Sequence, residues 1–233
     1  MRPLKKAVQK KSKSTLRTQA IYLFLGKSVG YAVQFTLVLV LVRLLDKGEF
    51  GLYRQVLLIG LFSTPIIQLG IIHSLYYFYP NSKENVSQLV LQSMAILCIT
   101  GALCLFIFIT FRGQISAFLW GQKHVGLIIP TGFYVLFCNT SVILEHIYVL
   151  EKRPILVLIY SFADKLCSSI LLLTAYLLYE TVGAIVWALA AWAFLKSALA
   201  VFWLQHNYFE GFKHPLFDRD YLNKQLKYSL PLC

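Results

Sequence analysis

The stretch "AIYLFLGKSVGYAVQFTLVLVLV", residues 20 to 42, runs for 23 residues with one formal charge, Lys27. A helix rises 1.5 Å per residue, so about 20 apolar residues cross the ~30 Å hydrocarbon layer of a bilayer. This run alone is long enough to span. The rest of the chain repeats the pattern: 58% of residues are hydrophobic and only 14% are charged. Spans are expected near residues 20–43, 55–79, 88–111, 125–149, 155–179 and 183–205. All are expected to be helical, because the short alternating segments of a membrane barrel are missing and a lone helix satisfies its own backbone in lipid. The fold class is therefore an all-α, multi-pass transmembrane helix bundle of six spans plus the start of a seventh.

The basic residues set an orientation. Net charge is +12, and seven basic residues (Arg2, Lys5, Lys6, Lys10, Lys11, Lys13 and Arg17) precede the first run. A basic flank holds its end in the cytoplasm. With the N-terminus inside, the inner segments carry fourteen lysines and arginines and the outer segments five, which supports that topology. The run is too long for a signal-peptide core and lacks an A-x-A site, so an uncleaved first span is expected. No basic and aromatic face outside the membrane suggests a nucleic-acid partner. Four cysteines lie in apolar runs as small hydrophobes. Tyr76, Tyr77, Tyr79, Trp203 and Tyr208 are expected at the inner boundary, and Trp120 and Tyr179 at the outer one, as interfacial anchors. A kink is expected near Pro65.

The organisation read from the sequence is a basic cytoplasmic tail (1–19), a six-helix bundle (20–206), a cytoplasmic connector (207–225) and the start of a seventh, truncated span (226–233). From Asp218 the connector reads as a short surface helix. The closing "LKYSLPLC" is apolar again, as expected of part of a longer chain.

The connector "RLLDKGEFGLY", Arg43 to Tyr53, resembles the segment between the first two helices of polysaccharide and lipid-linked oligosaccharide flippases. These form the polysaccharide-transporter branch of the multidrug/oligosaccharidyl-lipid/polysaccharide exporter superfamily. The matching positions are Arg43, Leu44, Leu45, Glu49, Phe50, Gly51 and Tyr53. By themselves Glu49 and Gly51 read as a tight solvated turn that starts the next helix. The resemblance implies two six-helix bundles facing each other across a cavity, of which this chain is the N-terminal one, so the C-terminal bundle is an expected missing partner. It also implies a bacterial cytoplasmic (inner) membrane location, membrane lipid as solvent, and a polyprenyl-diphosphate-linked oligosaccharide as substrate.

Ionisable groups at depth cost about 2.5–3.5 kcal/mol each on insertion scales and should face a cavity. Lys27, Gly30, Tyr31 and Gln34 share one face of the first span by their i, i+3, i+4, i+7 spacing. Ser161, Asp164, Lys165 and Ser168 repeat it in the fifth. Ser141, Glu145 and Tyr148 do so in the fourth, with Asn139 and His146 on an adjacent face. Lys196 lies within the sixth. The cavity candidates are thus Lys27, Tyr31, Gln34, Asn139, Glu145, Asp164, Lys165 and Lys196. For Lys27 and Lys196 snorkelling to headgroups is the competing reading. For Gly26 and Gly30, "GKSVG" also reads as a helix-packing pattern. Salt bridges are expected between helices, for instance Lys27 with Asp164 or Glu145 with Lys196, rather than between the adjacent Asp164 and Lys165.

No metal, cofactor or catalytic constellation is expected: the five histidines are scattered, and H-E-x-x-H is missing. The reading is a flippase of lipid-linked O-antigen, capsule or exopolysaccharide repeat units rather than an enzyme. The alternatives are a cation-coupled multidrug exporter of the same superfamily, which Lys27 in the first helix argues against, or a non-functional truncated membrane protein.

Overall fold

The computed structural model describes residues 16–80, 86–208 and 225. Among these, eight α-helices follow one another: α1 (Leu16–Leu44), α2 (Lys47–Gln68), α3 (Ile71–Phe78), α4 (Val86–Thr110), α5 (Arg112–Leu119), α6 (Ile128–Leu150), α7 (Pro154–Tyr179) and α8 (Val182–Tyr208). A 3-10 turn, Gln122–Leu127, leads into α6. Six of these helical segments are long and apolar enough to cross a membrane. The connector helix expected from Asp218 and the start of a seventh span lie outside the described residues, apart from Gln225.

Several boundaries differ from the sequence reading. The second span covers Lys47–Gln68 rather than 55–79. Pro65 sits inside α2 without ending it. The break comes at Leu69 and Gly70, both in the left-handed region with φ of 46° and 68°. Gly70 adopts that conformation at no steric cost, and α3 then starts as a separate short helix. The segment 112–124, expected as a loop, forms α5 and the 3-10 turn. The family segment is also mostly helical: α1 ends at Leu44 and α2 begins at Lys47, so Glu49, Phe50, Gly51 and Tyr53 occupy the first turns of α2. Glu49 lies at a helix N-terminus, where a carboxylate is favoured. Gly51 has helical φ, and a Cβ added there would meet nothing within 4 Å, so neither the backbone nor the space at this position demands glycine.

Lipid tails are as apolar as leucine, so helices associate by close packing rather than by hydrophobic burial. Glycine supplies that closeness here. A Cβ on Gly60 of α2 would sit 2.6 Å from the Tyr134 ring of α6, and one on Gly101 of α4 or Gly132 of α6 would sit 2.7 Å from Leu136 or Leu105. α6 is the central helix and packs on α2, α4, α7 and α8. α1 lies along α7, where a Cβ on Gly26 would meet Leu158 Cα at 3.0 Å and one on Gly30 would meet Lys165 Cγ at 3.2 Å. The G-x-x-x-G pattern therefore packs helices. α1 and α2 share the core near their connection, through Leu37, Leu41 and Leu45 with Tyr53 and Val56. The first half of α1 instead follows α7.

The two ends are tied differently. At the end holding the connection of α1 to α2, the Tyr176 hydroxyl donates to the Leu44 carbonyl at 2.7 Å. At the other end, Tyr208 donates to Glu151 at 2.8 Å and lies 3.3 Å from the Tyr79 hydroxyl, while Trp203 packs edge-on against Tyr148. Tyr79, Trp203 and Tyr208 thus pack inward, where the sequence suggested interfacial anchors. Tyr77 and Tyr179, 51% and 70% exposed, remain on the surface.

Candidate functional site

The intramembrane charges gather on α1, α6, α7 and α8. Asp164 of α7 is the hub. Its Oδ1 accepts from Lys196 Nζ of α8 at 3.0 Å and from the Trp192 indole at 2.8 Å, and its Oδ2 lies 3.5 Å from Lys165 Nζ. One carboxylate therefore serves two ammonium groups. The Lys196 and Asp164 side chains are 16% and 15% exposed, whereas Lys165 is 33% exposed and has the longer contact. A buried, short pair is costly to separate, and a longer, more exposed one is not. Lys165 is thus the member most free to meet another anion.

Lys27 reaches from α1 across to α6, where its Nζ lies 3.6 Å from Glu145 Oε1, with side chains 52% and 29% exposed. The contact is long and half solvated in character, worth about 0–1 kcal/mol. Lys27 and Gly30 are one turn apart, and Gly30 leaves the room that the Lys165 stem occupies. Lys165, like Lys27 one of the two more accessible lysines, therefore packs on α1 one turn from Lys27. Tyr31, 64% exposed, lies beside them on α1, and Gln34 is half buried one turn further on.

The partners differ from those named in the sequence reading. Inter-helix bridges do form, but Lys27 of α1 pairs with Glu145 of α6 and Lys196 of α8 with Asp164 of α7. Asp164 and Lys165 also meet, although adjacent residues point about 100° apart; a long lysine stem can curl back to its neighbour's carboxylate. The α6 stripe is not one open face. Ser141 and Tyr148 are buried, Tyr148 against Tyr160 and Trp203, and of that stripe Glu145 alone is partly open. Asn139 is fully buried between helices and donates to the Leu97 carbonyl of α4 at 3.2 Å. It holds α4 to α6 and faces no open space.

Sequence reasoning missed two sets of residues. Trp192 sits four positions before Lys196, on its face of α8, and that spacing was available to find it. Gln88 and Gln92, beside Ser93, form a buried polar strip on α4. His146 Nδ1 lies 2.9 Å from the Tyr76 hydroxyl of α3, so the residue after Glu145 ties α6 to α3.

Summed over these groups, Lys27 and Glu145 cancel, and Asp164 leaves one of Lys165 and Lys196 unneutralised. The cluster is net positive and suits an anion.

Residues 16–233 match the family described as "Polysaccharide biosynthesis protein". No curated protein and no solved structure matches the chain.

Proposed function

We propose that this chain, which belongs to the polysaccharide biosynthesis protein family, forms one wall of a membrane transporter that flips lipid-linked oligosaccharide. The substrate class is a repeat unit of O-antigen, capsule or exopolysaccharide carried on a polyprenyl diphosphate. A second bundle supplies the opposing wall, the N-terminus is cytoplasmic, and the membrane is the bacterial inner membrane.

The observation that carries this reading is the single carboxylate of Asp164 shared by two lysines. Phosphates entering a low-dielectric site need paired positive charge. Lys165 can turn from Asp164 to a phosphate while Lys196 keeps the carboxylate neutralised. Lys27 can do the same by leaving Glu145, a long and exposed contact that costs little to break. The two lysines adjoin along α1, so one diphosphate can meet both. The acids here, Glu145 and Asp164, already have lysine partners, which disfavours the organic cations that a multidrug exporter carries. No step in this scheme makes or breaks a covalent bond, so the role is transport rather than catalysis.

The test is to replace the resident copy in its host with the variant Lys165→Gln. Surface polysaccharide should fall while the amount of chain in the membrane stays the same. Undiminished polysaccharide from the double variant Lys27→Gln/Lys165→Gln would remove the reading.

A further inference from the structure

We infer that the hydroxyls of Ser74 and Ser93 form a receiving site for the chain that follows the sixth span, and that Gln225 is its anchor. This stands apart from the charged cluster and from any choice of substrate.

Both hydroxyl protons are already committed. Ser74 Oγ donates to the Ile71 carbonyl of its own helix at 2.8 Å, and Ser93 Oγ donates to the Leu89 carbonyl at 2.8 Å. Both side chains have no exposed surface. What remains is a pair of acceptors, on α3 and α4, sealed from solvent. The group that fits is neutral and carries two donors on one atom, which describes a primary carboxamide. Gln225 supplies it: its Nε2 lies 3.1 Å from Ser93 Oγ and 3.5 Å from Ser74 Oγ, from 132 and 151 residues away in the chain. Gln225 is itself fully buried. A lysine would bring an unpaired charge, and a leucine would leave both acceptors empty.

The interface is polar but incompletely satisfied. Among the described residues, Gln225 Oε1 has no partner, nor has either amide atom of the buried Gln92 next to Ser93. Such a network holds less tightly than a fully paired or an apolar one, as suits a contact that is adjusted. α3 is well placed to respond, because it is joined to α2 through the two left-handed residues Leu69 and Gly70. Its apolar face, Ile71, Ile72 and Leu75, packs in the core with α4, α6 and α8, and polar tethers add to that: Ser74 to Gln225, Tyr76 to His146 of α6, and Tyr79, at its C-terminal end, to Tyr208 of α8. His146 is adjacent to Glu145, which holds Lys27.

Two measurements test this on the full chain. In a background with the native cysteines replaced by alanine, the pairs Ser93→Cys/Gln225→Cys and Ser74→Cys/Gln225→Cys are treated with dibromobimane. This short reagent fluoresces on joining two thiols and makes up the lost carboxamide length. Both pairs should light up, and Ser197→Cys/Gln225→Cys, with its partner cysteine buried on α8, should stay dark. In the native-cysteine chain, Gln225→Ala should speed hydrogen exchange of the Ile71–Phe78 amides by roughly fivefold to tenfold, as the loss of one net hydrogen bond implies, and leave α7 unchanged. Dark test pairs in protein whose thiols titrate after denaturation, a control as bright as the test pairs, or unaltered α3 exchange would each overturn the inference.

Discussion

The substitution Asp164→Asn separates a structural role of the charged cluster from an ornamental one. Asparagine keeps the size and still accepts from the Trp192 indole, which donates to Asp164 at 2.8 Å, but it removes the charge that faces two lysines. Lys196, 16% exposed, then lies inside the bundle with no counter-ion from α7. Removing one partner of a buried pair costs about 3–5 kcal/mol, because a charge is left uncompensated. For a chain of this size each kcal/mol moves the midpoint by about 2–4 °C. The variant should therefore lose about 6–20 °C in the temperature at which the detergent-solubilised chain leaves its monodisperse chromatographic peak. The double variant Asp164→Leu/Lys196→Met should recover most of that loss, since apolar side chains of similar volume replace a buried pair at little cost. A midpoint for Asp164→Asn within about 2 °C of the native chain, or a double variant no better than the single one, would refute the assignment of this pair as the bond between α7 and α8.

Three further outcomes follow from the geometry. Lys27→Gln should insert normally and shift the midpoint by no more than about 4 °C, Lys27→Glu should be worse because it faces Glu145, and adding Glu145→Lys should restore it; the same thermal assay reads all three. Gly26→Ala forces a methyl to 3.0 Å from the Leu158 backbone and should cost about 1–3 kcal/mol, whereas Gly51→Ala, with nothing within 4 Å, should stabilise by roughly 0.5–1 kcal/mol; the reverse order would show that α1 does not pack on α7 as described. Cysteines at Lys47 and Lys152 test the orientation: an impermeant maleimide should label Lys47→Cys in intact cells and spare Lys152→Cys, and the opposite pattern would invert the topology.

Fold class and span number were legible because hydrocarbon thickness imposes a length that apolar runs must meet, and six helices meet it. Where a span begins was less legible. The second one starts at Lys47 because a helix tolerates Lys47, Glu49 and Arg54 in its solvated first turns, which hydropathy reads as a loop. The break at Leu69 and Gly70 was hidden because Pro65 drew attention, yet a proline need not end a helix whose neighbours pack well. In the charged cluster, periodicity placed Lys27, Asp164, Lys165 and Lys196 at depth but could not choose partners. Pairing depends on which helices adjoin, and no spacing within one helix records that α1 lies on α7. Asn139, itself a cavity candidate, and Tyr148, on the face of Glu145, proved buried, since a polar stripe and a helix contact look alike until the neighbouring helix is known.

The role proposed for Lys27 and Lys165 is to hold a lipid diphosphate between them. The most direct measurement is binding of a polyprenyl diphosphate, against the matching polyprenyl alcohol, to the chain in lipid nanodiscs. The chain should prefer the diphosphate and lose roughly tenfold or more in affinity on Lys165→Gln, the value of one charged hydrogen bond. Lys27→Gln should lose binding in the same direction, and affinity for the alcohol should not change in either variant. Equal affinity for the two lipids, or diphosphate binding untouched by both substitutions, would contradict it.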